Sequence, residues 1–235
     1  MPNESENTRP TISNIRKMLS QAEKGGVQNT IQNCVTVLQN DPILADSIRL
    51  NLLSERIDIV KPMGWQRSGP TLTDTDMMYI LRRMEKYGLY SEKRVSAAIR
   101  IVANENHYHP IRDYLNELKW DGTARISRAL HRFLGAAEDE LTTEALKIFL
   151  LGAIKRVFHP GCKFEMMLCL VGGQGEGNSS FFRLLAIKDE WFSDDLRRLD
   201  DDNVFRKLQG HWIMEMSEMI ATANAKSIEE IKSFL

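Results

Sequence analysis

The chain has 235 residues, of which 43% are hydrophobic and 27% charged, with a formal net charge of -1. That length allows one sizeable core or two small ones, and the near-zero charge excludes an overall basic field as the basis of nucleic-acid binding. No apolar run reaches membrane-span length, the first 30 residues lack a secretory apolar stretch, and Cys34, Cys162 and Cys169 show no metal-ligand spacing, which suits reduced thiols and a cytoplasmic location.

Residues 1–28 are polar, contain Pro2 and Pro10 and reach Gly25-Gly26, and read as a flexible N-terminal segment. Residues 29–106 read as a mainly helical module, winged-helix-like in carrying a small strand pair. Ile31, Cys34, Val35 and Leu38 recur at helical spacing up to Asp41-Pro42, and Ile57 and Ile59 alternate with polar neighbours as in a half-buried strand. Lys61–Pro70 reads as a loop. One helix is expected from Asp74 to a stop at Gly88, and another from Ser91 through Val102. The basic clusters Arg82, Arg83, Lys86 and Lys93, Arg94, Arg100 read as solvated helix faces.

Beyond residue 106, Pro110 opens a short helix that ends before the turn at Trp120-Asp121-Gly122. Leu130, Phe133 and Leu134 share a helical face closed by Gly135. The clearest helix spans Thr143–Phe158, with Leu146, Phe149, Leu150, Ala153, Ile154 and Val157 forming its stripe. Glu165–Val171 is a short apolar run of the kind found in strands buried on both faces.

Directly after that run comes Gly172-Gly173-Gln174-Gly175-Glu176-Gly177-Asn178-Ser179-Ser180, followed by a helical pattern through Phe182 and Leu185. Strand, glycine-rich loop and helix together are the setting of a phosphate-binding P-loop. Glycines allow positive φ and close approach of the backbone, successive N–H groups make an anion-binding concavity, and the helix N-terminus adds partial positive charge. Gly172, Gly173, Gln174, Gly175, Gly177, Asn178, Ser179 and Ser180 are therefore the candidate ATP-binding residues, and Ser179 would place its hydroxyl on Mg²⁺. Every element of G-x-x-x-x-G-K-[ST] is present except the lysine, whose position holds Asn178. Trp212–Glu218 reads as a second apolar strand ending in acids. Glu215 is the candidate for orienting the Mg²⁺ water shell, and Glu218 for polarising an attacking water. Weak ATP and Mg²⁺ binding is the expectation. The four tryptophans read as packing anchors, with Trp65 weighed as a stacking surface for single-stranded DNA. Lys163, Arg183 and Lys188 are poorly placed to substitute for the lysine.

The stretch His109–Gly122, then Pro160–Phe164, the loop Gly172–Ser180, Trp191–Asp194 and Leu208–Glu215, in this order, resembles the virulence-associated protein E family. The resemblance covers residues 107–235. It implies an α/β fold: a P-loop NTPase-type, helicase-like sheet with flanking helices, here preceded by the helical module. It also implies a replication ATPase of phages and mobile elements, with DNA as a partner, further copies of the chain or replication proteins as others, and no membrane. The family carries lysine at the position of Asn178. The sequence also stops inside a predicted helix, with Ser227 and Glu230 as a capping box and Ile228, Ile231 and Leu235 as a stripe, so an incomplete C-terminal domain is expected. The sequence therefore points to an ATPase weak or inactive in hydrolysis, the alternative being a non-catalytic interaction protein or a decayed gene product.

Overall fold

The computed structural model describes residues 10–173, 175–196 and 204–216. It divides into two compact units, Met1–His109 and Pro110–Leu235. Among the described residues the fold is mixed, with helices predominating over two small sheets.

The first unit is built from helices α1 (Ile12–Met18), α2 (Ile31–Asn40), α3 (Asp74–Glu85) and α4 (Glu92–Glu105), and the antiparallel hairpin β1 (Ile48–Asn51) and β2 (Arg56–Ile59). Cys34, Val37 and Leu38 of α2, Ile80 and Met84 of α3, and Val95, Ala98 and Ile99 of α4 form its centre. The helices lie where periodicity places them. Residues 12–18 are the exception: they form α1 rather than a flexible tail. Ile15 is fully buried, Thr11 caps the helix through the Asn14 N–H, and Arg16 Nε donates to the Lys86 carbonyl at 3.0 Å. The following loop is fastened by buried Asn33. Its Nδ2 donates to the carbonyls of Ser20 and Gln28, and its Oδ1 accepts from the Ser20 N–H. Among the described residues of the N-terminal 28, Ile12, Ile15, Leu19 and Val27 are the apolar contributors, too few to outweigh a polar composition when read by pattern alone.

Two buried carboxylates organise the polar interior of this unit. Asp41, fully buried, accepts from Arg83 Nε at 2.8 Å, from the Tyr87 hydroxyl at 2.5 Å and from the backbone N–H groups of Ile43 and Leu44. Burial alone would raise its pKa, but these donors together hold it below the ordinary carboxylate value. Asp76 forms a capping box with Thr73 and also accepts from Trp65 Nε1 at 2.7 Å and Arg67 Nε at 2.8 Å. Arg67 further donates to the carbonyls of Ile59, Pro70 and Thr71, so the loop Lys61–Pro70 closes around a guanidinium. Trp65 stacks on Tyr79 with centroids 4.9 Å apart. Its indole is thus engaged on one face by Tyr79 and at its edge by Asp76, as the packing role expected of it requires.

The second unit contains α5 (Pro110–Glu117), α6 (Ile126–Leu134), α7 (Glu140–Phe158), α8 (Asn178–Leu185) and α9 (Val204–Leu208). Two two-residue strands, β3 (Phe192–Ser193) and β4 (Ile213–Met214), pair in parallel. Helix α7 starts three residues before the expected Thr143, because the Asp139 side chain caps it through the Thr142 N–H at 2.8 Å. Leu130, Leu146 and Phe181 join α6, α7 and α8 in one cluster, with Phe149, Leu168, Leu170 and Leu185 against it. Trp191 and Trp212 pack edge to face, and Trp212 Nε1 donates to the Ala153 carbonyl at 3.2 Å. Trp120 departs from the packing role expected of it and is 82% exposed.

Glu165–Val171 is not the strand expected from its composition. It carries no ladder pairing among the described residues, and only Leu168 and Leu170 turn toward the core, while Met166, Met167 and Val171 are exposed. A strand needs partner N–H and C=O groups, which an apolar sequence does not itself provide. The neighbour of β4 is accordingly β3 and not the segment before the glycine loop.

The chain doubles back after α7 so tightly that a Cβ on Gly152 would lie 2.2 Å from Phe164 Cζ. Helix propensity favours alanine over glycine by about 1 kcal/mol, whereas overpacking costs roughly 1–3 kcal/mol. Gly152→Ala should therefore lower the thermal stability of the second unit. In a Phe164→Ala background the same change should raise it, a reversal of sign readable in thermal melts of the four proteins.

Candidate functional site

Gly175 and Gly177 adopt φ of 87° and 90°, values that only glycine takes without strain. Gly177 is the N-cap of α8, so the chain leaves a left-handed turn directly into the helix, and the Phe181 N–H closes on the Gly177 carbonyl at 2.9 Å. Asn178, Ser179 and Ser180 form the first turn. Their N–H groups precede the helical ladder and sit at the positive end of the helix dipole. Phe181, buried against Leu130 and Leu146, holds α8 to the body of the unit, and Phe182 meets the Phe149 ring edge-on at 5.9 Å. Gly172 and Gly173 have no positive φ, and their value lies in the space a side chain would fill. Gln174 lies outside the described residues, as does Glu218.

Glu215 follows β4 at its C-terminal end, where its N–H donates to the Ser193 carbonyl at 2.8 Å. The parallel pairing with β3 aims the carboxylate back toward α8: the Ser179 hydroxyl donates to Glu215 Oε1 at 2.7 Å. Glu215 Oε2 is buried with no hydrogen-bond partner among the described residues. Two residues 36 apart in sequence, each a candidate on chemical grounds, thus meet at one point. An orphaned carboxylate oxygen beside a hydroxyl is an all-oxygen donor set suited to a hard cation such as Mg²⁺, which keeps most of its ligands as water or phosphate oxygens. No group of three or more His, Cys, Asp or Glu side chains able to hold a metal occurs among the described residues, His107 and His109 included.

Among the described residues, the three cations weighed as substitutes for the lysine have partners of their own. Lys163 pairs with Glu165 at 2.6 Å. Arg183 lies over the Phe192 ring at 5.0 Å and 3.6 Å from Asp194, and Lys188 lies over Trp191 at 4.6 Å. The position of the missing lysine is held by the half-buried, uncharged Asn178. Sequence reasoning gave no role to Glu176. Its Oε2 stands 2.1 Å from the point where a Cβ on Gly172 would be, and its Oε1 stands 2.9 Å from the corresponding point on Gly173. The pattern of glycines on both sides of an acid was its only trace in the sequence.

A left-handed glycine turn feeding a helix N-terminus, beside a hydroxyl–carboxylate pair at a strand end, defines the second unit as an α/β domain with its polar site at the C-terminal edge of a parallel strand pair. Residues 115–235 match the virulence-associated protein E-like domain, and the chain belongs to that family. No curated protein matches the chain. No helix among the described residues is long and apolar enough to cross a membrane.

Proposed function

We propose that the glycine loop and α8 form a P-loop-type site for Mg-ATP, in a chain descended from replication ATPases of phages and mobile elements that act on DNA. The observation that carries this reading is the contact of Ser179 with Glu215 at 2.7 Å, with the second carboxylate oxygen buried and unpartnered among the described residues. Gly172, Gly173, Gly175 and Gly177 shape the cradle, and the N–H groups of Asn178, Ser179 and Ser180 face the phosphates. Ser179 and Glu215 would hold the cation, directly or through its water. The bound cation would supply positive charge to the β- and γ-phosphates. Gln174 and Glu218 belong to the same proposal on sequence grounds alone.

Asn178 makes this a weak site. Lysine neutralises phosphate charge during transfer, and asparagine offers only a neutral donor on a shorter side chain. The chain is therefore proposed to bind nucleotide weakly and to hydrolyse it slowly or not at all, working through DNA and protein partners, other copies of itself among them. Fluorescence anisotropy of labelled ATP tests this. The expected result is weak, Mg-dependent binding with a Kd of about 1 mM, on the order of 4 kcal/mol. Glu215→Gln should remove the Mg²⁺ dependence and weaken binding by roughly tenfold, the low end of what losing a metal-site partner costs. Submicromolar binding by the unaltered chain would overturn the claim that Asn178 disables the site.

A further inference from the structure

We infer that Glu176 is an internal competitor of nucleotide phosphate: its carboxylate covers the open faces of Gly172 and Gly173 and sets the affinity and phosphate-number preference of the loop. This rests on the P-loop reading above. Both carboxylate oxygens lie against the two glycines, 2.1 Å and 2.9 Å from the points where side chains would begin. The Asn178 amide nitrogen stands 3.5 Å from the same point on Gly172. Position 178 is where a P-loop lysine would reach across the loop toward the β- and γ-phosphates. The side chains of positions 176 and 178 therefore share one space, and in this chain that space holds a negative charge and a neutral amide.

Electrostatics fixes the consequence. A phosphate chain entering the loop must displace the Glu176 carboxylate or lie beside it, and like charges at contact distance repel, most strongly at low salt because the loop is exposed. The penalty grows with the charge of the ligand. Mg-ATP, whose γ-phosphate lies nearest position 178, is penalised more than Mg-ADP. The loop thus evens out the preference for triphosphate that an unobstructed cradle would show. Gly172 and Gly173 are required for this arrangement, because a Cβ on either would push the carboxylate out.

The test is a double-mutant cycle at positions 176 and 178 in the full chain, titrated with Mg-ATP and Mg-ADP at low and high salt. Glu176→Gln keeps the shape and removes the charge. It should tighten Mg-ATP by roughly tenfold and Mg-ADP by less, with the gain shrinking as salt rises. Glu176→Ala should do the same, and unchanged melting curves for both would show that the fold is intact. Asn178→Lys should gain more in the Glu176→Gln background than alone, because the new ammonium no longer pairs with Glu176. If Asn178→Lys binds Mg-ATP but Glu176→Gln changes neither affinity nor the ATP-to-ADP ratio in either background, the role of Glu176 is overturned and the P-loop reading stands. If no variant, the double one included, binds either nucleotide, the P-loop reading falls and the competitor role falls with it.

Discussion

Asn178→Lys should tighten binding of Mg-ATP by about 10- to 100-fold. A hydrogen bond to a charged group contributes about 1.5–3 kcal/mol, and every 1.4 kcal/mol is a factor of ten. On the proposed P-loop reading the gain is available because of the left-handed turns at Gly175 and Gly177, the helix start at Asn178, and Ser179 against Glu215. A preorganised cradle needs little further ordering to use a new charge. The expected value falls toward the lower end of the range when Glu176 is present. Titration of labelled ATP by anisotropy, with and without Mg²⁺, measures the change. No improvement in any background would mean that Gly172–Ser179 does not act as a phosphate cradle.

The largest stability effect is expected far from that loop. Asp41→Ala should destabilise the first unit by about 3–5 kcal/mol, because it leaves the Arg83 guanidinium and the Tyr87 hydroxyl without their buried acceptor. Asp41→Asn should cost less but still destabilise, since a neutral amide cannot accept from all these donors at once. The acid response gives an independent reading. The folded pKa of Asp41 lies below its unfolded value, so its contribution is fully present above the ordinary carboxylate range and is lost as pH falls through the lower, folded value. Asp76 is shifted in the same direction, with burial opposed by Arg67, Trp65 and Thr73. Between pH 5 and strongly acidic conditions the unaltered chain should lose protection in α2 and α3, and Asp41→Asn should show a shallower loss. Hydrogen exchange of peptides from those helices, at several pH values, reads both effects.

How far the fold was legible follows from what each element relies on. Helices α2, α3, α4 and α7 carry repeating apolar residues, and α2, α3 and α7 also carry local side-chain caps, so their sequences contain the cause of their structure. Helix α1 does not: Ile15 is buried because distant residues cover it, and its own neighbours are polar. Glu165–Val171 fails in the opposite way, since its composition suits a strand but a ladder is a property of two segments. In the candidate site, the turns at Gly175 and Gly177 were legible because their positive φ restricts which residues can stand there, and Ser179 was singled out by its place after them. Glu215 was legible from its place at the end of an apolar run. Its distance to Ser179 was not, because that depends on β3 meeting β4, and the position of Glu176 depends on a side-chain conformation that no pattern encodes.

The 36-residue separation between Ser179 and Glu215 also has a meaning in time. A ribosome adds about 5–20 residues per second, and domains fold as units from the N-terminal side. The first unit, complete at His109, can settle while the glycine loop is still being made. The loop and α8 then emerge about 2–7 s before the acid that faces them. For that interval the nascent chain carries the glycine loop and α8 without the carboxylate that Ser179 faces, and the Ser179–Glu215 contact forms only when β4 docks on β3.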